Sequence, residues 1–297
     1  RKRILAHIML LKDLTGDAAL AATELETEIT GLSADSRTVG EGYLFAALKG
    51  ARSDGTDFID AACDAGASAV LVAADTPFDV LERVSGRCPV ILSDDPRRAL
   101  ALMAARFHAG QPEKLVAVTG TSGKTSVAVF TRQIFAFAGL EAASLGTIGT
   151  VTSRGAHYGG LTTPDPVTLH ETLAELDRDG ITHAALEASS HGLDQRRLDG
   201  LRLCAAGFTN LGRDHLDYHA SVGEYLQAKL RLFDTLLDPG RPVVVEPSAP
   251  YADAIMEVAR ACGHPLFTVG EGGEDLSLVD IRHEGFEQVL SLETPEG

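Results

Sequence analysis

Apolar residues along this chain gather in short blocks, separated by helical stretches and by turns bearing glycine or proline. Blocks at 43–48, 69–72, 89–92, 115–118, 181–186, 203–208 and 242–245 are the length of buried strands. Between them, 58–65 reads as a helix stopped by Gly66, and 127–137 as one stopped by Gly139. Residues 96–107 form a helix opened by Asp95 and a first-turn proline, and Asp165 with Pro166 opens another that runs to 176. Further helices are expected at 224–237 and 252–261. Strands alternating with helices predict an α/β fold with a mostly parallel sheet. The stretch 108–112, His-Ala-Gly-Gln-Pro, is the best linker, so the expected domains are 9–111 and 112–297. Beyond Gly273 the pattern changes to short alternating segments such as 288–292 and ends on the turn signal Thr294-Pro295-Glu296-Gly297. The second domain is therefore expected to be incomplete at its C-terminal end.

Composition narrows the function. A chain of 297 residues with 44% hydrophobic content can build about two cores. No run approaches the roughly 20 apolar residues that span a bilayer, so no membrane partner is expected. The net charge of −16, with no basic stripe, argues against long nucleic acid as a partner. Cys63, Cys88, Cys204 and Cys262 are scattered, with no metal or redox spacing. They read as buried free thiols of a protein in a reducing cytoplasm. The first residues, Arg1-Lys2-Arg3 followed by Ile4 and Leu5, resemble a leader only superficially, since Lys12 and Asp13 interrupt the apolar segment. Met9 is a candidate true start.

The richest chemistry follows the strand at 115–118. Gly120-Thr121-Ser122-Gly123-Lys124-Thr125-Ser126 lies between that strand and a helix, where a phosphate-binding loop needs to be. Glycine allows a tight turn whose N–H groups face phosphate oxygens, and the helix N-terminus adds positive potential. Lys124 can reach terminal phosphates, and Thr125 or Ser126 can hold Mg²⁺. The common eight-residue pattern needs glycine at 118, which is valine, so this loop is a shorter form. Glu187 ends an apolar strand, as a Mg²⁺ ligand or water holder would, or a helix-terminal charge. Asn210 to His219 is dense in polar side chains. His215 and His219 share a helical spacing that would suit zinc, although the loop implies Mg²⁺, and a solvated turn reads equally well. Lys229 sits among Tyr225, Leu226, Leu230 and Phe233, and composition alone makes it a surface lysine with an apolar stem. Ser190 and His191 are adjacent on what reads as an extended segment, so their side chains diverge and no hydrolase triad is expected.

Taken together, these clusters resemble the Mur ligases, the ATP-dependent amide-forming enzymes of peptidoglycan precursor synthesis. The resemblance rests on Asp35-Ser36-Arg37, the loop 120–126, Thr162-Thr163-Pro164, the run 187–193, and 210–219 with Lys229 downstream. It covers roughly 9–297 and is most specific for the tripeptide-synthetase branch, through Ser189-Ser190-His191-Gly192-Leu193 and 213–219. It implies a small N-terminal α/β domain for a UDP substrate, followed by a central ATP-binding domain. It also implies that ATP phosphorylates the γ-carboxylate of UDP-N-acetylmuramoyl-L-alanyl-D-glutamate. The amine of a diamino acid, meso-diaminopimelate or L-lysine, then attacks the acyl phosphate. Under this resemblance Lys124 holds the γ-phosphate, and Thr125, Glu187 and His215 serve Mg²⁺. Lys229 is carbamylated, which turns a cation into an anion that orients the metal. Ser36, Ala51, Arg52, Ser53, Thr162, Thr163, Ser189, Gln195 and Arg197 hold the UDP-sugar-peptide. The family's third, Rossmann-like domain has no counterpart here, so the chain is expected to be a fragment, inactive alone, of a cytoplasmic bacterial monomer. Two other readings stay open: a nucleotide-binding module without ligase activity, and a folylpolyglutamate-type ligase. The first domain argues against the latter.

Overall fold

The computed structural model describes residues 7–16, 22–50, 53–214 and 217–297. The chain divides into two compact units, Arg1–Gly110 with Pro166–Thr172, and Gln111–Asp165 with Leu173–Gly297.

In the first unit, β1 (Met9–Leu10) pairs antiparallel with β2 (Glu28–Ile29), with α1 (Leu11–Thr15) and α2 (Ala22–Leu25) between them. A four-stranded parallel sheet follows in sequence order: β3 (Gly31–Ser33), β4 (Tyr43–Ala46), β5 (Ala69–Ala73) and β6 (Val90–Ser93). The helices are α3 (Ile59–Asp64), α4 (Phe78–Val84) and α5 (Pro96–Phe107). Strand alternation sends Leu44, Ala46, Ala69, Leu71 and Ile91 to one face, against Leu11 and Leu14 of α1 and Leu100, Met103 and Phe107 of α5. Phe45, Val70 and Val72 go to the other face, against Ile59 and Ala62 of α3 and Val84 of α4. Both faces of the sheet are thus covered, as a parallel sheet requires. Helix α5 starts where its signals put it: the Asp95 carboxylate accepts the Arg98 N–H, and Pro96 fills the first turn.

Asp35 ends the loop after β3 and caps a 3₁₀ turn, Ser36–Thr38, by accepting the Arg37 N–H at 3.0 Å. The Arg37 guanidinium beside it holds the Asp35 carboxyl down at about 2, with the Arg37 amide bond adding to the effect. Replacing Asp35 by alanine is expected to cost the first unit about 1 kcal/mol. Because the folded pKa is depressed, that contribution is present above the ordinary 3.8 and is lost as the pH falls through about 2. Urea unfolding of both proteins at pH 7 and pH 2.5 would show the gap shrinking.

The second unit is built on one sheet. Its strands are β7 (Lys114–Thr119), β8 (Ala142–Gly146), β9 (Gly149–Thr152), β10 (Gly155–His157), β11 (His183–Glu187), β12 (Ala205–Phe208), β13 (Val243–Val245), β14 (Leu266–Gly270), β15 (Leu276–Glu284) and β16 (Glu287–Glu293). They lie in the order β10-β9-β8-β11-β7-β12-β13-β14-β15-β16. The six from β8 to β14 are parallel, and antiparallel β9–β10 and β15–β16 extend the edges. The helices are α6 (Lys124–Phe137), α8 (Ser190–Asp194), α9 (Val222–Arg231) and α10 (Ala252–Ala261), together with the part of α7 (Pro166–Arg178) that follows Thr172, its first residues belonging to the first unit. Connections from β7 and β12 leave in opposite directions, to β8 and to β13. A crevice opens at such a reversal, beyond the carboxyl ends of the strands. The loop 120–123 and residues Thr209 and Asn210 occupy it.

Three expectations change. The helix expected at 224–237 ends at Arg231 and continues as a π-turn, Leu232–Leu236. Ser190 and His191 lie in α8 rather than on an extended segment. Ser189 caps that helix by accepting the Gly192 N–H, which forces the backbone to coil. The four cysteines are free thiols, but each is half-buried rather than buried. Among the described residues no helix is long and apolar enough to cross a membrane.

One face of this sheet is only partly covered. Helix α6 buries little besides Ala128, against Val118 and Ala185. Its Val127, Phe130, Ile134 and Phe137 form a stripe at helical spacing that is 40% to 97% exposed. Beside it lies an apolar groove of about 460 Å³, lined by Val116, Val244 and Val269 among others.

Candidate active site

The site begins with two glycines. Gly120 takes φ +145° and Gly123 φ +86°, conformations an L side chain rarely adopts. A Cβ on Gly120 would also lie 1.9 Å from Thr209 Oγ1 and 3.0 Å from the Asn210 carbonyl. The close approach ties the loop to the end of β12. Thr121 N–H donates to the Asn210 carbonyl (2.8 Å), Ser122 N–H to the Asn210 side-chain oxygen (3.1 Å), and Thr209 Oγ1 to the Ser122 carbonyl (2.6 Å). Asn210 therefore fixes the shape of the loop.

Two lysines converge on one oxygen. Lys124 Nζ donates to the carbonyls of Gly120 and Thr121, both at 2.9 Å, and Lys229 Nζ donates to the Gly120 carbonyl at 2.7 Å. Helix α9 delivers Lys229 because Ser221 caps its start, accepting the Glu224 N–H, and because Tyr225, Ala228 and Lys229 form its buried face. Lys229 is 1% exposed, so it is not the surface lysine that composition suggests. Its amine stands 4.4 Å from the centroid of the Tyr225 ring, and Tyr225 OH meets Thr121 Oγ1 at 3.1 Å. Burial, seconded by the neighbouring Lys124 charge, pushes the Lys229 amine down to about 7, against the pull of Asp214. Burial also lowers Lys124, opposed by Glu187 and Asp214.

Beside the lysines is an oxygen corner. Glu187 is the last residue of β11 and 2% exposed. Its Oε2 accepts from Thr125 Oγ1 at 2.9 Å and its Oε1 from the Thr147 N–H at 2.8 Å. A threonine hydroxyl against a carboxylate, next to a glycine cradle, is a donor set that suits Mg²⁺ carried on phosphates, which keeps water and phosphate oxygens as its other ligands. Among the described residues no group of three His, Cys, Asp or Glu side chains converges as a metal site.

A second polar chain leads away from Glu187. Thr147 Oγ1 lies 3.0 Å from Thr162 Oγ1. Thr163 Oγ1 donates to the Glu187 carbonyl at 2.9 Å and meets Ser189 Oγ at the same distance. Arg197 donates to the Thr163 carbonyl (2.6 Å) and to Gln195 Oε1 (2.7 Å), and Gln195 Nε2 donates to Tyr218 OH (3.1 Å). The structure thus joins the loop, Glu187 and Lys229, and joins Thr162, Thr163, Ser189, Gln195 and Arg197. Ser36 and Ser53 belong to the first unit. Ala51, Arg52 and His215 lie outside the described residues. Sequence reasoning missed Thr147, Thr209 and Tyr225. The one signal for Thr147 was a glycine–threonine pair directly after the short run Ala142-Ala143-Ser144-Leu145.

A glycine loop at the reversal of a doubly wound sheet, flanked by a hydroxyl–carboxylate corner, has the form of an α/β protein of the phosphate-loop type. Its kind follows from comparison. The profile described as the Mur ligase middle domain matches residues 118–297, and the one described as the Mur ligase family, catalytic domain, matches 28–108. The chain belongs to the Mur ligase family. It is 50% identical over 289 residues to the UDP-N-acetylmuramoyl-L-alanyl-D-glutamate–2,6-diaminopimelate ligase of Brucella melitensis biotype 1 (97% of this chain, 58% of that protein). With the ligase of the same name from Chelativorans sp. it shares 52% over 268 residues (90% and 54%). A solved structure of a ligase of that name superposes with a TM-score of 0.84 at 27% identity, over 97% of this chain and 58% of the other. MurF from Acinetobacter baumannii, at 22% identity and a TM-score of 0.64 over 98% of this chain and 59% of its own, shares the fold. The chain thus spans somewhat over half the length of these relatives.

Proposed function

We propose that this chain is the UDP-substrate and ATP-binding portion of an ATP-dependent amide ligase. Its reaction would add 2,6-diaminopimelate to UDP-N-acetylmuramoyl-L-alanyl-D-glutamate in the bacterial cytoplasm, as a monomer. The observation that carries the reading is the convergence of Lys124 and Lys229 on the Gly120 carbonyl beside the Thr125–Glu187 corner, in a chain whose relatives bear that activity in their names.

In this reading residues 120–126 bind the ATP phosphates. Asn210 takes the Thr121 and Ser122 N–H groups and shapes the loop, the N–H groups of 124–126 at the start of α6 face the phosphates, and Lys124 leaves its two carbonyl acceptors for the γ-phosphate. Thr125 and Glu187, with His215 and the carbamate of Lys229, would hold Mg²⁺, which neutralises charge on the phosphates. A neutral Lys229 amine adds to CO₂, forming the N–C bond of a carbamate and releasing one proton. The depressed pKa keeps enough free amine near pH 7 for that addition. The substrate carboxylate attacks the γ-phosphorus, ADP leaves, and the acyl phosphate has the leaving group that a carboxylate lacks. The incoming amine then displaces phosphate. Catalysis is mostly positioning and charge neutralisation. Thr162, Thr163, Ser189, Gln195 and Arg197 would hold the peptide end of the substrate, with Arg197 the partner for an anionic group. Ser36, Ala51, Arg52 and Ser53 would serve the UDP-sugar end.

A thermal-shift titration tests the reading. Stabilisation by UDP-N-acetylmuramoyl-L-alanyl-D-glutamate and by Mg²⁺·ADP is expected, with none by folates. Stabilisation by a folate alone would overturn it in favour of a folate-directed ligase.

A further inference from the structure

We propose that Gly146 and Thr147, where β8 ends, form a seat for the Glu187 carboxylate. In this seat Thr147 is a positioning residue that sets Glu187 for a divalent cation and ties that setting to Thr162. The inference rests on the reading that Glu187 faces a nucleotide-borne cation.

Strand β8 runs parallel beside β11, with Leu145 opposite Leu186, so Gly146 and Thr147 come level with Glu187. Thr147 uses both of its polar groups there. Its N–H holds Oε1 at 2.8 Å, and its hydroxyl lies 3.3 Å from Oε2 and 3.0 Å from Thr162 Oγ1. Together with the Thr125 bond to Oε2, these contacts fix the carboxylate plane of a Glu187 side chain that is itself almost fully buried, while Thr147 stands exposed at its rim. The hydroxyl has one proton. When Thr147 donates it to Glu187, it accepts from Thr162, so donation runs Thr162 to Thr147 to Glu187. Any group that re-aims the Thr162 hydroxyl is then felt at the carboxylate.

Gly146 supplies the space. A Cβ there would lie 2.0 Å from Glu187 Oε1, and its three nearest atoms all belong to the Glu187 side chain. Its φ is not in the left-handed region, so the backbone itself would accept alanine. The glycine is required by the carboxylate rather than by the turn. Side chains that orient a metal ligand characteristically govern metal affinity without touching the metal.

The test is calorimetric titration of this polypeptide with ADP alone and with ADP plus Mg²⁺, so the readout is binding rather than turnover. The wild type is expected to bind ADP more tightly with Mg²⁺. Thr147→Val removes the hydroxyl and keeps the N–H, and Gly146→Ala displaces the carboxylate. Each should cut the Mg²⁺-dependent gain about tenfold, while affinity for metal-free ADP stays within about twofold. Thr147→Ser should restore the gain. Thr162→Val should lower it in the wild type and add nothing in Thr147→Val. If Thr147→Val fails to fold, Gly146→Ala and Thr147→Ser decide the matter alone. An undiminished Mg²⁺ gain in the folded variants, or an equal loss with and without Mg²⁺, overturns the seat. No Mg²⁺ gain in the wild type overturns the reading of Glu187 beneath it.

Discussion

Lys124→Met is expected to weaken ADP and ATP binding about 100-fold, the loss of a charge-assisted contact to phosphate in a half-buried site, while leaving the fold at least as stable. The two halves of this result have separate causes. The amine is partly desolvated, and burial lowers its pKa, so the folded protein carries a cost for keeping it charged. Its acceptors are not orphaned by the change in equal measure. The Gly120 carbonyl keeps Lys229, and only the Thr121 carbonyl loses its side-chain donor. Methionine fills the same length of apolar stem. Chemical unfolding should therefore move by no more than about 1 kcal/mol, in a variant whose calorimetric titration with ADP is nearly flat. Retained affinity in a folded Lys124→Met protein would remove Lys124 from the phosphate site.

Lys229→Ala is expected to cut ATP-dependent ligation at least about 100-fold wherever ligation is measured, and short carboxylates such as acetate or formate should restore part of it. The truncation empties a space next to the Gly120 carbonyl that a small carboxylate can enter, standing in for the proposed carbamate. Full activity of the variant would show that no carbamate is needed. A companion measurement reads the amine directly. The folded amine sits at about 7, whereas an exposed lysine sits at 10.5. Between those values the unfolded chain binds a proton that the folded chain does not, so stability rises with pH across the window. Below pH 7 the full penalty of burying the charge is present. In Lys229→Met that pH-dependent component should vanish, so the stability difference between variant and wild type should narrow from pH 6.5 to pH 9.5. An unchanged difference would mean the amine is not desolvated.

The parts of the fold that were legible are those where local chemistry and tertiary role agree. Helix α5 was readable to its ends because Asp95 and Pro96 mark its start and Phe107 closes its buried face. The strand–loop–helix of β7 and α6 was readable because glycine, lysine and hydroxyl residues have few reasons to fall together in that order. Strand β8 was not, since Ala142-Ala143-Ser144-Leu145-Gly146 has no β-branched residue and owes its form to strands on both sides. Strand β14 was missed for want of a strong apolar block, and the helix expected to run to 237 gave no sign of its π-turn. Within the site, charged and glycine residues announced themselves, whereas Thr147, Thr209 and Tyr225 did not. Their importance arises only from what β8, β12 and α9 bring beside them. Lys229 is the sharpest case. Its neighbours in sequence describe an amphipathic helix equally well with the amine outside or inside, and packing against the phosphate loop decides between them.

The uncovered half-face beside α6 has a calorimetric consequence. Heat capacity on unfolding follows the apolar area newly wetted, at roughly 12–15 cal/mol/K per residue for an ordinary globular chain. Phe130, Ile134 and Phe137 are already wet in the native state, and Val116 and Val244 of the groove wall are only partly buried. The second unit should therefore melt with a heat-capacity step and a denaturant slope smaller than its length predicts. Its stability curve should accordingly be flatter, with cold destabilisation displaced to lower temperature.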